Sequence, residues 1–284
     1  MSKIRLWAVK FLETGATLEA IAAAKGLQSL DETASFLPEG AYTTFRTYQH
    51  TRALHLEDHF LRLEETARLA GKSLRMERLA LRQALRQALA NYPHSQELRL
   101  RLVLDLFEQP GAIYLAAEPL HMLPTSAYRM GVKTITCDFS RPNPKAKLTT
   151  SMSGARELRR QLPQDVNEAL MLDDYGRFLE GLSSNFFAVL AGEIWTAEAG
   201  VLSGITRQLV LEEIRLARLP LRLEGLPRSA LPELHEAFIT SASRAILPVT
   251  QIDAQIIGAG APGPLTRLLA RRYRSRVRQD VEAI

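Results

Sequence analysis

The chain has 284 residues, 46% hydrophobic and 24% charged, which is the balance of an ordinary globular protein. That length predicts two domains and a core large enough to flank a cofactor cleft. The 36 Lys and Arg face 31 Asp and Glu, for a net charge of +5, and basic residues sit beside acids, as in Arg62, Glu64, Glu65 and Arg68; this reads as solvated helix face and argues against nucleic acid as a partner.

The stretch 1–15 has too short an apolar run and no small-residue cleavage site for a signal peptide, so the expected location is cytoplasmic. No apolar run reaches membrane-spanning length, so no membrane partner is expected. Residues 41–48, rich in Thr and aromatics, predict a strand. Leu56, His59, Phe60, Leu63, Ala67 and Ala70 recur at helical spacing and predict a helix over 56–69, with Gly71 just past its end. A second helix is expected over 76–91, before Pro93. Leu98, Leu100, Leu102 and Leu104 alternate with Arg99, Arg101, Val103 and Asp105, a period-two strand, and 112–117 forms its partner.

Residues 119–126 hold two prolines and no periodicity. The expected domains are therefore 1–120 and 128–284, joined by a linker over 121–127. In the second part, strands are expected at 132–137, 169–173, 178–180, 186–190, 194–196 and 237–241. Helices are expected at 154–161, 205–216 and 264–276, with a proline-bounded loop at 140–147. The single cysteine, Cys137, excludes an intramolecular disulfide, and no Cys/His spacing suggests a metal.

Three stretches carry chemistry. Residues 202–207, Leu-Ser-Gly-Ile-Thr-Arg, run straight into a helical pattern. Gly204, a hydroxyl and the open N–H groups of a helix start suit an anion; the bland alternative is an ordinary first-turn threonine. Residues 179–187, Leu-Glu-Gly-Leu-Ser-Ser-Asn-Phe-Phe, set Glu180 and Asn185 at a polar pivot between two strands, which read alone is a β-turn with a solvated acid. Residues 239–244, Ile-Thr-Ser-Ala-Ser-Arg, end a strand in small hydroxyl residues that let backbone approach a ligand; the alternative is a serine-rich loop.

In this order, and with Leu61-Arg62-Leu63 in the early helix, these stretches resemble the class IV aminotransferases, the fold-type IV enzymes of pyridoxal 5′-phosphate (PLP), over about residues 38–258. The resemblance implies an α+β chain of two domains, a smaller N-terminal α/β domain and a larger C-terminal one with a β-barrel-like core, assembled as a homodimer. It implies PLP as cofactor. Lys147 meets the family's spacing between the Schiff-base lysine and the acid without a gap, whereas Lys145 would need one. Arg62, Ile205, Thr206 and Ser243 take the places of phosphate ligands, Glu180 that of the acid at the pyridine nitrogen, and Asn185 joins the cofactor set. Tyr42 resembles an aromatic that lines the substrate pocket. Arg46, on the same strand face, and Arg99 and Arg101, sharing a face of theirs, are rival carboxylate clamps, with surface ion pairs as the competing reading.

The implied activity is transfer of an amino group from an amino acid to a 2-oxo acid through Lys147. The alternatives are an aminodeoxychorismate lyase, which eliminates pyruvate, and a weakly active PLP-binding homologue. The Glu180–Asn185 stretch is closer to the D-amino acid aminotransferase and lyase branches than to typical branched-chain enzymes. One departure stands out: Thr150 and Met152 occupy places where the family has Asn and often Tyr, Arg or Leu, so a tyrosine for the cofactor's phenolic oxygen is absent.

Overall fold

The computed structural model describes residues 4–22, 27 and 29–284; residues 1–3, where the N-terminal reading begins, lie outside them. The chain divides into two compact units. One comprises Met1–His121, Ala146–Gly154 and Gln279–Ile284, the other Met122–Lys145 and Ala155–Arg278.

The first unit is built on a seven-stranded sheet. Its strands are β1 (Arg5–Leu12), β2 (Gly15–Ala20), β3 (Gly40–Tyr48), β4 (Arg52–Leu54), β5 (Leu98–Asp105), β6 (Ile113–Pro119) and, from the C-terminal end, β16 (Val281–Ala283). They lie in the order β16-β4-β3-β5-β6-β1-β2, antiparallel throughout. The leucine alternation in β5 is realised: Leu98, Leu100, Leu102 and Leu104 join Phe45, Phe60, Leu63, Leu81 and Leu85 in one apolar core. Burying each such side chain contributes about 1.5–3 kcal/mol. Arg99 and Arg101 occupy the other face, cross-strand from Arg46 and Thr44.

Helices α1 (Leu56–Leu69) and α2 (Arg78–Leu89) supply the core's other wall. The helix bounds predicted for 56–69 match, and Gly71 lies just past the C-cap with φ +77°, the left-handed conformation that glycine adopts without strain. The β1–β2 hairpin has no counterpart in the sequence reading. Strand β2 is a sheet edge with a single buried residue, Ala16, so its hydrophobic pattern is faint.

In the second unit, strands β7 (Val132–Cys137), β8 (Val166–Leu172), β9 (Phe178–Gly181), β10 (Asn185–Leu190), β13 (Glu236–Ser241) and β14 (Ala245–Ile252) pair in a ring, β10-β13-β14-β7-β8-β9. The ring closes through the bridge between Glu180 and Asn185, making a six-stranded barrel in which those strands leave no open edge. Strands β11 (Glu193–Trp195) and β12 (Leu221–Arg222) extend it beyond β10, and β15 (Gln255–Ile256) pairs with β14. This is the α+β fold with a barrel-like C-terminal core that the sequence resemblance implies.

The sequence reading places no strand at β14, which carries Pro248. Strand β7 joins β14 only from Val249 onward, so the prolyl nitrogen interrupts no ladder on that side. The remaining α-helices are α3 (Thr125–Met130), α4 (Thr150–Gln161), α5 (Ile205–Leu216) and α6 (Pro264–Asp280); α5 has its predicted bounds, and α4 starts four residues earlier than predicted. No helix is long and apolar enough to cross a membrane, and no group of His, Cys, Asp and Glu could hold a metal, among the described residues.

Candidate active site

Residues 147–149 are fastened to the start of β3. The Tyr42 N–H donates to the Lys147 carbonyl at 2.9 Å, and the Thr149 N–H donates to the Gly40 carbonyl at 2.9 Å. The Gly40 N–H donates to Thr149 Oγ1 at 2.9 Å, and the Lys147 N–H donates to Thr66 Oγ1 of α1 at 3.3 Å. Lys147 is half-buried and its Nζ lies 4.7 Å from the centre of the Tyr42 ring; Lys145 is exposed. The Arg101 guanidinium also lies 5.5 Å from that ring.

Arg101 is buried, and burial pulls its pKa down against the opposing charge of Asp31. Its Nη2 donates to Asp31 Oδ1 at 2.7 Å, its Nη1 to the Leu30 carbonyl at 2.8 Å and its Nε to Thr44 Oγ1 at 3.2 Å. Arg99 donates to Glu118 Oε1 at 2.9 Å and to the same Asp31 oxygen at 3.2 Å. Arg46 shares the Tyr42 face, as period two requires, and lies 4.6 Å over the Tyr48 ring. Helix α1 carries the half-buried Arg62 and the buried His59, whose Nδ1 is 2.6 Å from Thr43 Oγ1.

In the second unit, Glu180 is 2% exposed at the point where the barrel closes. Its Oε1 accepts from Arg141 Nη1 at 3.0 Å, and its Oε2 from Asn185 Nδ2 at 2.9 Å and the Leu202 N–H at 3.2 Å. Asn185 Nδ2 also donates to the Leu202 carbonyl at 2.7 Å, which ties the barrel's closing bridge to the approach to α5. Ile205 and Thr206 are buried in the first turn of α5, where backbone N–H groups have no intrahelical acceptor. The helix is held from behind by Arg207, 1% exposed, which donates to the Ala197 carbonyl at 2.8 Å and Glu198 Oε2 at 2.6 Å. Ser243 lies in the turn between β13 and β14. Burial, with the nearby Glu168 and Asp138 charges, pushes the Cys137 thiol up to about 11, so it is no nucleophile at neutral pH.

The family model for amino-transferase class IV matches residues 40–252. The chain belongs to this family. Class IV aminotransferases use PLP. A branched-chain-amino-acid aminotransferase of Pseudomonas aeruginosa is 30% identical over 55% of this chain and 53% of its own length. A D-alanine aminotransferase of Bacillus licheniformis is 39% identical over 35% of this chain and 36% of its own. The aligned part of the chain thus spans about half of the first relative and about a third of the second. A solved putative branched-chain amino acid aminotransferase of Thermotoga maritima shares the fold at 22% identity and a TM-score of 0.78, covering 97% of this chain and 96% of its own.

The residues picked from sequence fall into two sets. Lys147, Arg62, Tyr42, Arg46, Arg99 and Arg101 belong to the first unit; Glu180, Asn185, Ile205, Thr206 and Ser243 belong to the second. Sequence reasoning passed over Arg141, the ionic partner of Glu180, because it sits in an irregular proline-bounded loop. It also passed over Thr149, whose hydroxyl fixes the lysine segment, the buried Glu168 and its half-buried partner Arg244. The one available signal for Glu168 was an acid at the head of the apolar run Ala169–Leu172.

Proposed function

We propose that the chain is a PLP-dependent aminotransferase with Lys147 as its covalent lysine. The observation that carries this reading is the fastening of residues 147–149 to β3, with the Lys147 amine over the Tyr42 ring. An amine on a segment pinned by four hydrogen bonds loses little freedom when it reacts. Each unit carries groups suited to a phosphorylated pyridine aldehyde: the first an amine for the carbonyl and Arg62 for the dianion, the second a buried carboxylate for the ring nitrogen and, for the dianion, a helix start and Ser243.

Bound, PLP would supply an aldehyde that accepts the amino group and a ring that draws off the electron pair left at Cα. Lys147 would hold the cofactor through Nζ and, once displaced by the substrate amine, take the proton from Cα. Glu180 would keep a proton on the ring nitrogen, its own carboxylate held in place by Arg141, Asn185 and the Leu202 N–H. In the second unit the first turn of α5 and Ser243 would take the phosphate, the role the resemblance gives Arg62 in the first. Tyr42 would line the substrate side. Arg99 and Arg101 are already engaged by Asp31 and Glu118, so a substrate carboxylate would have to compete with carboxylates in place.

The test compares wild type and Lys147→Ala after incubation with PLP. The wild type should turn yellow and borohydride should fix the cofactor on Lys147; the variant should do neither. A colourless wild type, or an adduct mapped to another lysine, sinks the reading. A panel of D- and L-amino acids with 2-oxoglutarate then reads the donor, and pyruvate release with no acceptor present marks a lyase instead.

A further inference from the structure

Glu168, on β8, has no part in the roles above, yet it is fully buried. Its Oε2 accepts from Arg244 Nη2 at 2.6 Å, Ser183 Oγ at 2.7 Å and Ser184 Oγ at 3.0 Å, and its Oε1 from the Ala169 N–H at 3.3 Å. Arg244 donates in addition to Asn167 Oδ1 at 3.0 Å, to Ser183 Oγ at 2.8 Å and to Ser241 Oγ at 3.3 Å. Burial acts to raise the Glu168 carboxyl, but the Arg244 and Arg159 charges and the hydrogen bonds of Arg244 and Ser183 outweigh it and hold it below the usual carboxylate value.

Three segments therefore meet on one ion pair: strand β8, the turn that joins Glu180 to Asn185, and the turn that carries Ser243. Each is held tightly. A Cβ at Gly181 would overlap Glu168 Cγ and Ser184 Oγ. The second turn passes through Ala245 at φ +56°, a left-handed conformation that an alanine rarely adopts and that other contacts must maintain.

We propose that Glu168 and Arg244 are positioning residues, which lock the Glu180–Asn185 turn and the Ser243 turn into one geometry so that the ring-nitrogen acid and a phosphate hydroxyl are preset together. The inference rests on the PLP reading above. Apolar replacement of both partners of such a pair is often neutral for stability; here the pair of buried Glu168 and half-buried Arg244 would serve instead to define the register between the segments it joins. Removing one partner is different, because the other keeps its charge with no counter-charge against it.

That contrast separates positioning from mere support. The experiment uses the full-length protein as wild type, Glu168→Gln and the double variant Glu168→Leu/Arg244→Met. Thermal midpoints are measured without cofactor, and PLP affinity by absorbance titration. Glu168→Gln should weaken PLP binding by about tenfold or more. The double variant should regain a wild-type midpoint while its PLP affinity stays low. PLP binding within about twofold of wild type in either variant overturns the positioning role. If the wild type itself takes up no PLP, the cofactor reading falls, and this role with it.

Discussion

His59 shows how one residue's surroundings set its chemistry. Burial lowers its pKa most, and the nearby Arg62, Lys147 and His55 lower it further, so the imidazole stays neutral well below its ordinary value of about 6.5. Its Nδ1 contact with Thr43 Oγ1 is thus made by the neutral ring. The unfolded chain takes up a proton near pH 6.5 and the folded one does not, so this residue's contribution to stability is full above that pH and falls as pH drops through it. His59→Asn should remove this term. The gap in thermal midpoint between wild type and variant should shrink from pH 8 to pH 5, and a constant gap would show that the ring does not titrate this way. At this scale the sequence was partly legible. The family resemblance marked Glu180, Asn185 and Lys147 as candidates, but the contacts of Thr149, Arg141, Glu168 and Arg244 are with partners far along the chain, which no local pattern announces.

At the scale of elements, α1 begins in an unusual way. Its N-cap, His55, is left-handed at φ +50° and makes no capping hydrogen bond from its side chain. The cap comes instead from Glu282 in β16: Oε1 accepts the Leu56 N–H at 2.8 Å, and Oε2 pairs with Arg82 of α2 at 2.7 Å. The last strand thus holds the start of the helix that bears His59 and Arg62. Glu282→Ala should cost about 1–2 kcal/mol in urea unfolding, the usual loss for a helix cap, and more than Glu282→Gln, which can still accept. Equal losses would show that the cap is not what the carboxylate contributes. Helices α1 and α5 were readable to the residue because an amphipathic stripe and a glycine boundary are local signals. Strands β2, β4, β14 and β16 were not, because short, edge or proline-bearing strands carry too few alternations to rise above chance.

At the scale of the molecule, ligand binding and stability are linked. A ligand that binds only the folded chain stabilises it by about 2.7 kcal/mol at a hundred times its dissociation constant. PLP should therefore raise the thermal midpoint in step with its concentration. Pyridoxal, which lacks the phosphate, should raise it less if the phosphate roles proposed above hold. Equal shifts for the two would remove those roles.

Amphipathic periodicity, strand alternation and the order of three short polar stretches after Leu61-Arg62-Leu63, all local in the chain, were enough to give the α+β class, the bounds of α1 and α5, and the family. Two things needed the folded chain. The barrel closes at Glu180 and Asn185, and the lysine segment packs with the N-terminal unit although it follows β7 in sequence. The closing bridge is local, but the barrel it closes depends on the pairing of β7 with β14, and the lysine segment on hydrogen bonds to β3, in each case between residues far apart in the chain; such pairings are chosen by the packing of whole sheets and leave no mark on any single stretch of sequence.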